Sequence, residues 1–316
     1  MASGVVNRKP RILILHGMRA EVAKKSYATP ILDWFEDLGR RGIIEPLMIG
    51  VRPDSTTMHP PLDAARRGNV DGIVSVALFS EEYLSDLAAC NIPLVILDHE
   101  PLMKLADSVA FDNVGAAAQL GREIVERGHR NILYVSRYVR DPRPVAHADP
   151  RIEAIASQER RGGLMTACEG SSAAIWGMLP WHSFGALTSS TGSDALTDAR
   201  IRLKRMLDQA GRPPDCIVAV DYAVAEDMYS LIQEFGWRVP ENVSLATFQL
   251  HPYVAEHPLW LKISHMSMDY GLMAEEGWRL LSARMKKGGS AAPIQNSRIS
   301  AIWLDFGSVV DRRGQQ

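Results

Sequence analysis

Apolar positions along the chain follow two alternating patterns, which together predict an α/β fold. Short continuous apolar runs of strand length, such as residues 11–15 (RILIL) and 93–97 (PLVIL), are typical of strands covered on both faces. Between such runs, apolar residues recur three and four positions apart and predict amphipathic helices, as at Ile31, Leu32, Phe35 and Leu38. Strands that alternate with helices along a whole chain indicate doubly wound parallel sheets.

Residues 108–136, SVAFDNVGAAAQLGREIVERGHRNILYVS, are the most informative stretch. Their pattern predicts a short strand, a turn at Asp112 and Asn113, a long helix, and a second strand over ILYV. Gly128 is placed to end the helix in a left-handed C-cap. The stretch therefore predicts a parallel βαβ unit. Asp112 and Asn113 would lie at a strand's carboxyl end, where open parallel sheets bind ligands.

The remaining elements form two successive α/β halves. Further strands are predicted at residues 11–15, 43–51, 73–76, 93–97, 174–178, 216–220, 243–248 and 300–304, and further helices at 27–41, 63–68, 81–89, 158–168, 194–210, 222–235 and 270–286. We expect a first lobe of residues 11–136 plus 267–290, a second of 137–266 plus 291–310, a linker remnant at 1–10 and a tail at 311–316. This pattern predicts a ligand cleft between the lobes, in a binding protein or in a two-domain enzyme.

Length and composition fit this organisation. A chain of 316 residues can form two lobes, and 46% hydrophobic with 23% charged residues is ordinary for a globular protein. A net charge of −2 provides no basic surface for nucleic acid. The three cysteines are far apart in the sequence. This spacing is typical of small buried residues in a protein from a reducing compartment. No apolar leader and no 18-residue apolar run are present, so we expect a cytoplasmic protein without a membrane span.

Motifs of common enzyme classes are missing from the sequence. It contains no phosphate-binding G-x-x-x-x-G-K-[ST], no H-E-x-x-H, no G-x-S-x-G, and no G-x-G-x-x-G after the first strand. The nine histidines lack the spacing of metal ligands. We therefore expect no catalytic activity, no cofactor and no bound metal.

Four segments, in the same order and at compatible spacing, resemble the effector-binding core of the LacI/GalR transcriptional regulators. The first is the D-N pair followed by G-H-R-x-I within residues 108–136. Residues 157–165 (SQERRGGLM) are similar to S-x-x-R-x-x-G-F, residues 213–223 (PPDCIVAVDYA) to P-x-A-I-x-x-x-N-D-x-x-A, and residues 239–248 (VPENVSLATF) to V-P-E-D-V-S-V-x-G-F. The resemblance implies a type I periplasmic-binding-protein-like fold with a ligand between two doubly wound parallel-sheet lobes.

The resemblance also implies a set of ligand-binding residues. Arg160 would reach from a helix start to hold ligand hydroxyls or carboxylates, because a guanidinium has forked donors that match vicinal oxygens; the alternative is a solvated surface arginine. Trp181 would stack on a sugar or a base, or else be a core or loop residue. Asn113 would hydrogen-bond the ligand, while Asp112 would brace the turn.

Two positions depart from the pattern of the family. Asp221 would cap a helix at the edge of the cleft. Val220 stands where the family often has an asparagine that touches ligand, and Gln249 stands where it has an aspartate that accepts from sugar hydroxyls. These changes argue against a standard hexose as the ligand. The remaining candidates lie after the first and third strands, before the first helix, or just past Gln249: Arg19, Ser26, Tyr27, Phe79 and His251.

From this resemblance we expect the effector-binding and dimerisation domain of a LacI/GalR-like repressor. The effector would be a small polar molecule, a sugar or sugar derivative. The partner would be a second copy of the chain, and operator DNA would be contacted only through a helix-turn-helix domain that this sequence lacks. Two alternatives remain open: a solute-binding protein of a sugar transporter, and an enzyme on the same scaffold.

Overall fold

The structure is a computed structural model. It describes residues 8–17, 29–51, 63, 65, 69–78, 80–137, 150–181, 201, 203–207, 213–248, 262–286 and 293–314. None of the helices in these ranges is long and apolar enough to cross a membrane.

The elements fully described are six helices and twelve strands. The strands are β1 (Arg11–His16), β2 (Glu45–Gly50), β3 (Gly72–Val76), β4 (Leu94–Leu97), β5 (Asp107–Phe111), β6 (Asn131–Arg137), β7 (Ala174–Trp181), β8 (Cys216–Ala219), β9 (Ser244–Phe248), β10 (Ser264–Ser267), β11 (Asn296–Ile299) and β12 (Ile302–Leu304). The helices are α1 (Thr29–Arg40), α2 (Glu81–Ala88), α3 (Asn113–Glu126), α4 (Pro150–Cys168), α5 (Tyr222–Glu234) and α6 (Tyr270–Lys286). Residues 63 and 65 and residues 201 and 203–207 are also helical.

These residues form two compact units, each built on one six-stranded sheet. The first unit lies within Met1–Phe111 and Asp269–Ile299, and its sheet has the order β11-β5-β4-β3-β1-β2 with every pair parallel. The second lies within Asp112–Arg140, Pro150–Met268 and Ser300–Gln316, with the order β12-β10-β9-β8-β6-β7, where β12 alone is antiparallel. The predicted doubly wound parallel sheets are confirmed.

The first unit buries the predicted apolar stripes and fixes its last helix with an ion pair. Ile31, Leu32, Phe35 and Leu38 are all buried on α1, as their spacing predicts. Asp107, at the start of β5, accepts two hydrogen bonds from the Arg284 guanidinium of α6 and one from the Gln295 backbone N–H at 2.8 Å. One carboxylate therefore ties α6 and the segment before β11 to the sheet.

The second unit is fixed at the amino end of its sheet by Asp215. This carboxylate accepts from the backbone N–H groups of Arg130 and Asn131, both at 2.8 Å, just where β6 begins. His129 is fully buried beside it and lies 3.0 Å from the carbonyl oxygen of Val310. These contacts hold the amino ends of β6 and β8 together. The loops that follow the strands begin at the opposite, carboxyl edge of the sheet.

The predicted βαβ unit at residues 108–136 is wrong, because its two strands belong to different sheets. β5 pairs with β4 and β11 in the first sheet, whereas β6 pairs with β7 and β8 in the second. The helix between them, α3, packs against α4 of the second unit. Asp112 is consequently the first residue of the second unit, although the prediction placed it in the first lobe.

The chain's last part also differs from the predicted lobes. Residues 291–299 were expected in the second lobe, yet β11 pairs with β5 and belongs to the first unit. The start of the predicted tail packs on the second unit, since the Arg312 backbone N–H donates to the Arg127 carbonyl oxygen at 2.7 Å. Two strands, β10 and β11, were not predicted at all.

Candidate functional site

Arg160 lies in the middle of α4. The prediction placed this residue at a helix start, but α4 begins at Pro150, well before the predicted start at residue 158. The interpretation of Arg160 as a solvated surface residue does not hold, because only 7% of the residue is exposed. A buried guanidinium in the middle of a helix needs specific partners.

The partners of Arg160 lie at the start of α3 and at the ends of three strands of the second unit. Its Nε donates to Asn113 Oδ1 at 2.9 Å, and its Nη1 donates to the carbonyl oxygen of Val220 at 2.8 Å. Its Nη2 lies 3.9 Å from the sulfur of Met268, and the guanidinium carbon lies 5.1 Å from the centre of the Phe248 ring. Val220, Phe248 and Met268 lie at or just beyond the carboxyl ends of β8, β9 and β10, so the guanidinium is held at that edge of the sheet.

A glycine allows α4 to approach α3 closely enough for these contacts. A Cβ on Gly163 would overlap the Val114 carbonyl oxygen and lie 2.8 Å from the Cβ of Ala117, both on α3. Real Cβ atoms essentially never come that close, so a larger residue would push the helices apart. Gly163 lies three residues after Arg160, and the close helix packing brings Arg160 beside Asn113, the first residue of α3.

Asn113 is predicted to bind ligand, but both ends of its amide already have a partner. Its Oδ1 accepts from Arg160, and its Nδ2 donates to Glu159 Oε2 at 3.0 Å. The residue is only 9% exposed. Asp112 braces the turn before it, as predicted, by accepting from the Gly115 backbone N–H at 2.9 Å as the N-cap of α3. Asn113 therefore orients Arg160, and its predicted ligand contact stays a prediction.

Asp221 follows β8 at the same edge of the sheet. Its backbone is extended, and its side chain accepts from the Val224 backbone N–H at 3.1 Å, which makes it the N-cap of α5, as expected. The carboxylate lies close enough to Tyr134 to raise the pKa of its phenol, while Arg160 lowers that pKa. A contact between Asp221 and a ligand stays a prediction.

Sequence reasoning missed Tyr134, Glu159, Phe248 and Met268 as parts of this site. Tyr134 lies in β6, its hydroxyl donates to the Ser157 carbonyl oxygen at 3.3 Å, and burial raises its pKa to about 12. It therefore stays protonated at neutral pH and acts as a hydrogen-bond donor. Glu159 could have been found from its place next to Arg160, whereas Met268 follows β10, a strand that was not predicted.

The other predicted residues cannot be joined to this cluster. Trp181 is the last residue of β7, which extends three residues beyond its predicted end, but its side chain lies outside the described residues. The same is true of Arg19, Ser26, Tyr27, Phe79, Gln249 and His251, which stay predictions. Within the described ranges, no three His, Cys, Asp or Glu side chains are grouped so as to hold a metal ion.

Comparison with known families identifies the class of protein. A profile of the periplasmic binding protein-like domain matches residues 122–304, more than half of the chain. The chain therefore belongs to the periplasmic-binding-protein-like domain family. A search of curated proteins found no match.

Among solved structures, the chain is similar to LacI-family regulators along almost its whole length. Regulator CcpA of Lactococcus lactis has a TM-score of 0.70 at 16% identity, covering 96% of this chain and 100% of that one. A LacI-family regulator from Enterococcus faecium, with bound ribose, has a TM-score of 0.66 at 16% identity, covering 95% and 99%. The Cra regulator from Pseudomonas putida, in complex with fructose 1-phosphate, has a TM-score of 0.66 at 16% identity, covering 93% and 98%. The predicted type I periplasmic-binding-protein-like fold and the LacI/GalR resemblance are confirmed at the level of the fold.

Proposed function

We propose that this chain is the ligand-sensing and dimerisation domain of a LacI/GalR-like transcriptional regulator. It binds a small polar effector, a sugar or a related compound, at the carboxyl edge of the second sheet. The observation that carries this proposal is Arg160, a buried guanidinium held in a fixed orientation by neighbouring elements.

The hydrogen bonds of Arg160 leave donors for a ligand. A guanidinium has five N–H donors, and the described residues accept from Nε, Nη1 and Nη2, the last through a thioether, which is a weak acceptor. Leaving a buried donor without a partner costs about 1–3 kcal/mol. An effector that presents two adjacent oxygens to Nη1 and Nη2 would remove that cost, and the planar fork suits vicinal hydroxyls.

The structural relatives support a sugar-like effector and a regulatory role. The regulator from Enterococcus faecium holds ribose, and the one from Pseudomonas putida holds fructose 1-phosphate. In this proposal the effector binds two states of a homodimer with different affinity. It thereby changes the affinity of a separate DNA-binding domain for operator DNA. Light scattering tests the dimer, because the rival solute-binding protein of a transporter would be a monomer.

Calorimetry on matched variants tests the site. We expect Arg160→Ala to weaken the binding of any sugar, nucleoside or polyol that binds the wild type by roughly tenfold or more, since charge-assisted hydrogen bonds are lost. Asp215→Ala is the control, because it removes a half-buried carboxylate from the opposite end of the same sheet. Equally tight binding by wild type and Arg160→Ala would refute the assignment.

A further inference from the structure

We propose that the effector carries an anionic group, a carboxylate or a phosphate, which pairs with the Arg160 guanidinium. This inference rests on the proposed function and narrows its ligand class. It follows from the charge around Arg160, from the residue that orients it, and from the side chains that surround it.

The contacts of Arg160 are all with neutral groups. They are an amide oxygen, a peptide carbonyl oxygen, a thioether and an aromatic ring. Across the part of the chain that the structure describes, no carboxylate lies within 4.0 Å of this guanidinium. Arg284 provides the comparison, because its side chain is 11% exposed and pairs directly with the Asp107 carboxylate. Burying a cation without a counterion is costly, so an anion has more to contribute at Arg160 than at Arg284.

The amide of Asn113 stands between Arg160 and the nearest carboxylate of its own network. Glu159 accepts from Asn113 Nδ2 at 3.0 Å, and Asn113 Oδ1 accepts from Arg160 Nε at 2.9 Å. Glu159 thus fixes which end of the amide faces the guanidinium. Asp221, which also lies at this edge of the sheet, accepts from the Val224 backbone N–H. The network orients the guanidinium through a neutral group and leaves its charge for the ligand.

The side chains next to the guanidinium favour an ion pair over a set of hydroxyl contacts. Val220, Phe248 and Met268 are all buried and apolar. They provide few donors or acceptors for the hydroxyls of a neutral polyol. An apolar environment strengthens the attraction between opposite charges, because it screens them less than water does.

A double variant tests this inference by moving the carboxylate without changing the total charge. Asn113→Asp combined with Glu159→Gln puts a carboxylate directly against Arg160 Nε, and the new glutamine amide can still donate to it. Arg160 then has an internal counterion. We expect the double variant to lose the preference for anions, so that the ratio of the affinity for an anionic ligand to that for its neutral counterpart falls roughly tenfold or more from its wild-type value. Thermal unfolding checks that the variant folds.

The probes are matched pairs that differ in one anionic group: ribose and ribose 5-phosphate, glucose and glucuronate, and glucose and glucose 6-phosphate. Sodium acetate and inorganic phosphate serve as minimal anions. Calorimetry measures affinity. The Arg160 Nε–H resonance, assigned from its loss in Arg160→Lys, reports on contact with the guanidinium. We expect the anionic member of a pair to bind more tightly and to shift this resonance. The comparison within the wild type stands even if the double variant fails to fold.

The outcomes separate this inference from the proposed function. If neutral members bind as tightly as anionic ones, or if a folded double variant keeps the full preference for anions, the anionic ligand class is wrong while the sensing role stands. If no anion shifts the Arg160 resonance, the anionic class is again wrong. The proposed function fails separately, when ligands bind Arg160→Ala as tightly as the wild type.

Discussion

Replacing each of the two adjacent glycines of α4 by alanine should affect the free energy of unfolding differently. Gly162 is exposed and Gly163 is buried against α3. A Cβ at residue 162 would meet no atom within 4 Å, whereas a Cβ at residue 163 would overlap the Val114 carbonyl oxygen and lie 2.9 Å from the backbone nitrogen of Ala118. Both positions are helical, so the intrinsic gain from alanine is the same at each.

The size of the effect follows from two opposing contributions. Alanine in place of glycine within a helix stabilises it by about 1 kcal/mol. Overpacking in a buried contact typically costs about 1–3 kcal/mol, and here the obstructing atoms include backbone, which cannot rotate away. We therefore expect Gly162→Ala to be stabilising by about 1 kcal/mol, and Gly163→Ala to be less stable than Gly162→Ala by about 1–3 kcal/mol.

Urea unfolding followed by circular dichroism measures both free energies, and calorimetry measures the consequence for the site. Because Gly163 sets the distance between α3 and α4, its substitution should also separate Arg160 from Asn113 and weaken ligand binding, while Gly162→Ala should leave binding unchanged. Equal stability of the two variants, or unchanged binding in Gly163→Ala, would refute the view that close helix packing positions Arg160.

Three further predictions concern stability and its dependence on pH. Asp107→Asn should destabilise the chain by about 3–5 kcal/mol in urea unfolding, because it removes the carboxylate that faces the nearly buried Arg284 guanidinium. Asp311→Asn, in an exposed pair, should leave the midpoint unchanged. Burial lowers the pKa of His129 from 6.5 to about 4. As the pH falls, the His129 imidazole is therefore protonated in the unfolded chain before it is protonated in the folded chain. Stability should be constant above about pH 6.5 and decrease as the pH falls towards 4; an identical decrease in His129→Gln would contradict this account. Asp221→Ala should lower the free energy of unfolding by about 1 kcal/mol, because the N-cap of α5 is lost, while Asp221→Asn should retain the cap. Weaker ligand binding by Asp221→Asn would show that the carboxylate also contacts the ligand.

The elements that the sequence predicts correctly are those whose burial is encoded in apolar residues. The two strands it misses, β10 (SHMS) and β11 (NSRI), consist mostly of polar residues. In β10, Ser264 and His265 are buried because other groups satisfy their polar atoms: the Ser264 hydroxyl donates to Asp305 Oδ1 at 2.9 Å, and His265 Nδ1 lies 2.9 Å from the Ile263 carbonyl oxygen. Such partners are distant in sequence or lie in the backbone, so periodicity does not reveal them.

The pairing of strands cannot be predicted from the local sequence pattern, for a similar reason. The pattern shows that β5, α3 and β6 follow one another, and the simplest arrangement of such a run is one βαβ unit. Which sheet each strand joins depends on its neighbours, however. Ser108 aligns with Asn296, and Ile132 aligns with Cys216, both far along the chain. A register between residues so far apart requires the whole fold.

At the site, too, single residues could be predicted from the sequence, but their arrangement could not. Arg160 and Asn113 could each be selected from their motifs, but the hydrogen bond between them depends on the packing of α4 against α3. That packing depends on Gly163, whose role appears only when its distance to Val114 is known. The sequence therefore indicated the participants, and the contacts show that Asn113 orients Arg160, while its ligand contact stays a prediction.

The order of Asp112 and Asn113 then acquires a physical reason. The first helical position of α3 lies next to a buried cation, while the residue before it must accept from the free backbone N–H groups of the helix start. Asp112 carries out the second task through Gly115, and because residue 115 has no Cβ, the carboxylate can lie close against that first turn. The negatively charged carboxylate of Asp112 therefore lies against the backbone of the helix start, and the neutral amide of Asn113 faces Arg160. The reverse order would still cap the helix, since asparagine is as good an N-cap as aspartate, but it would place a carboxylate against the guanidinium and supply internally the counterion that we assign to the ligand.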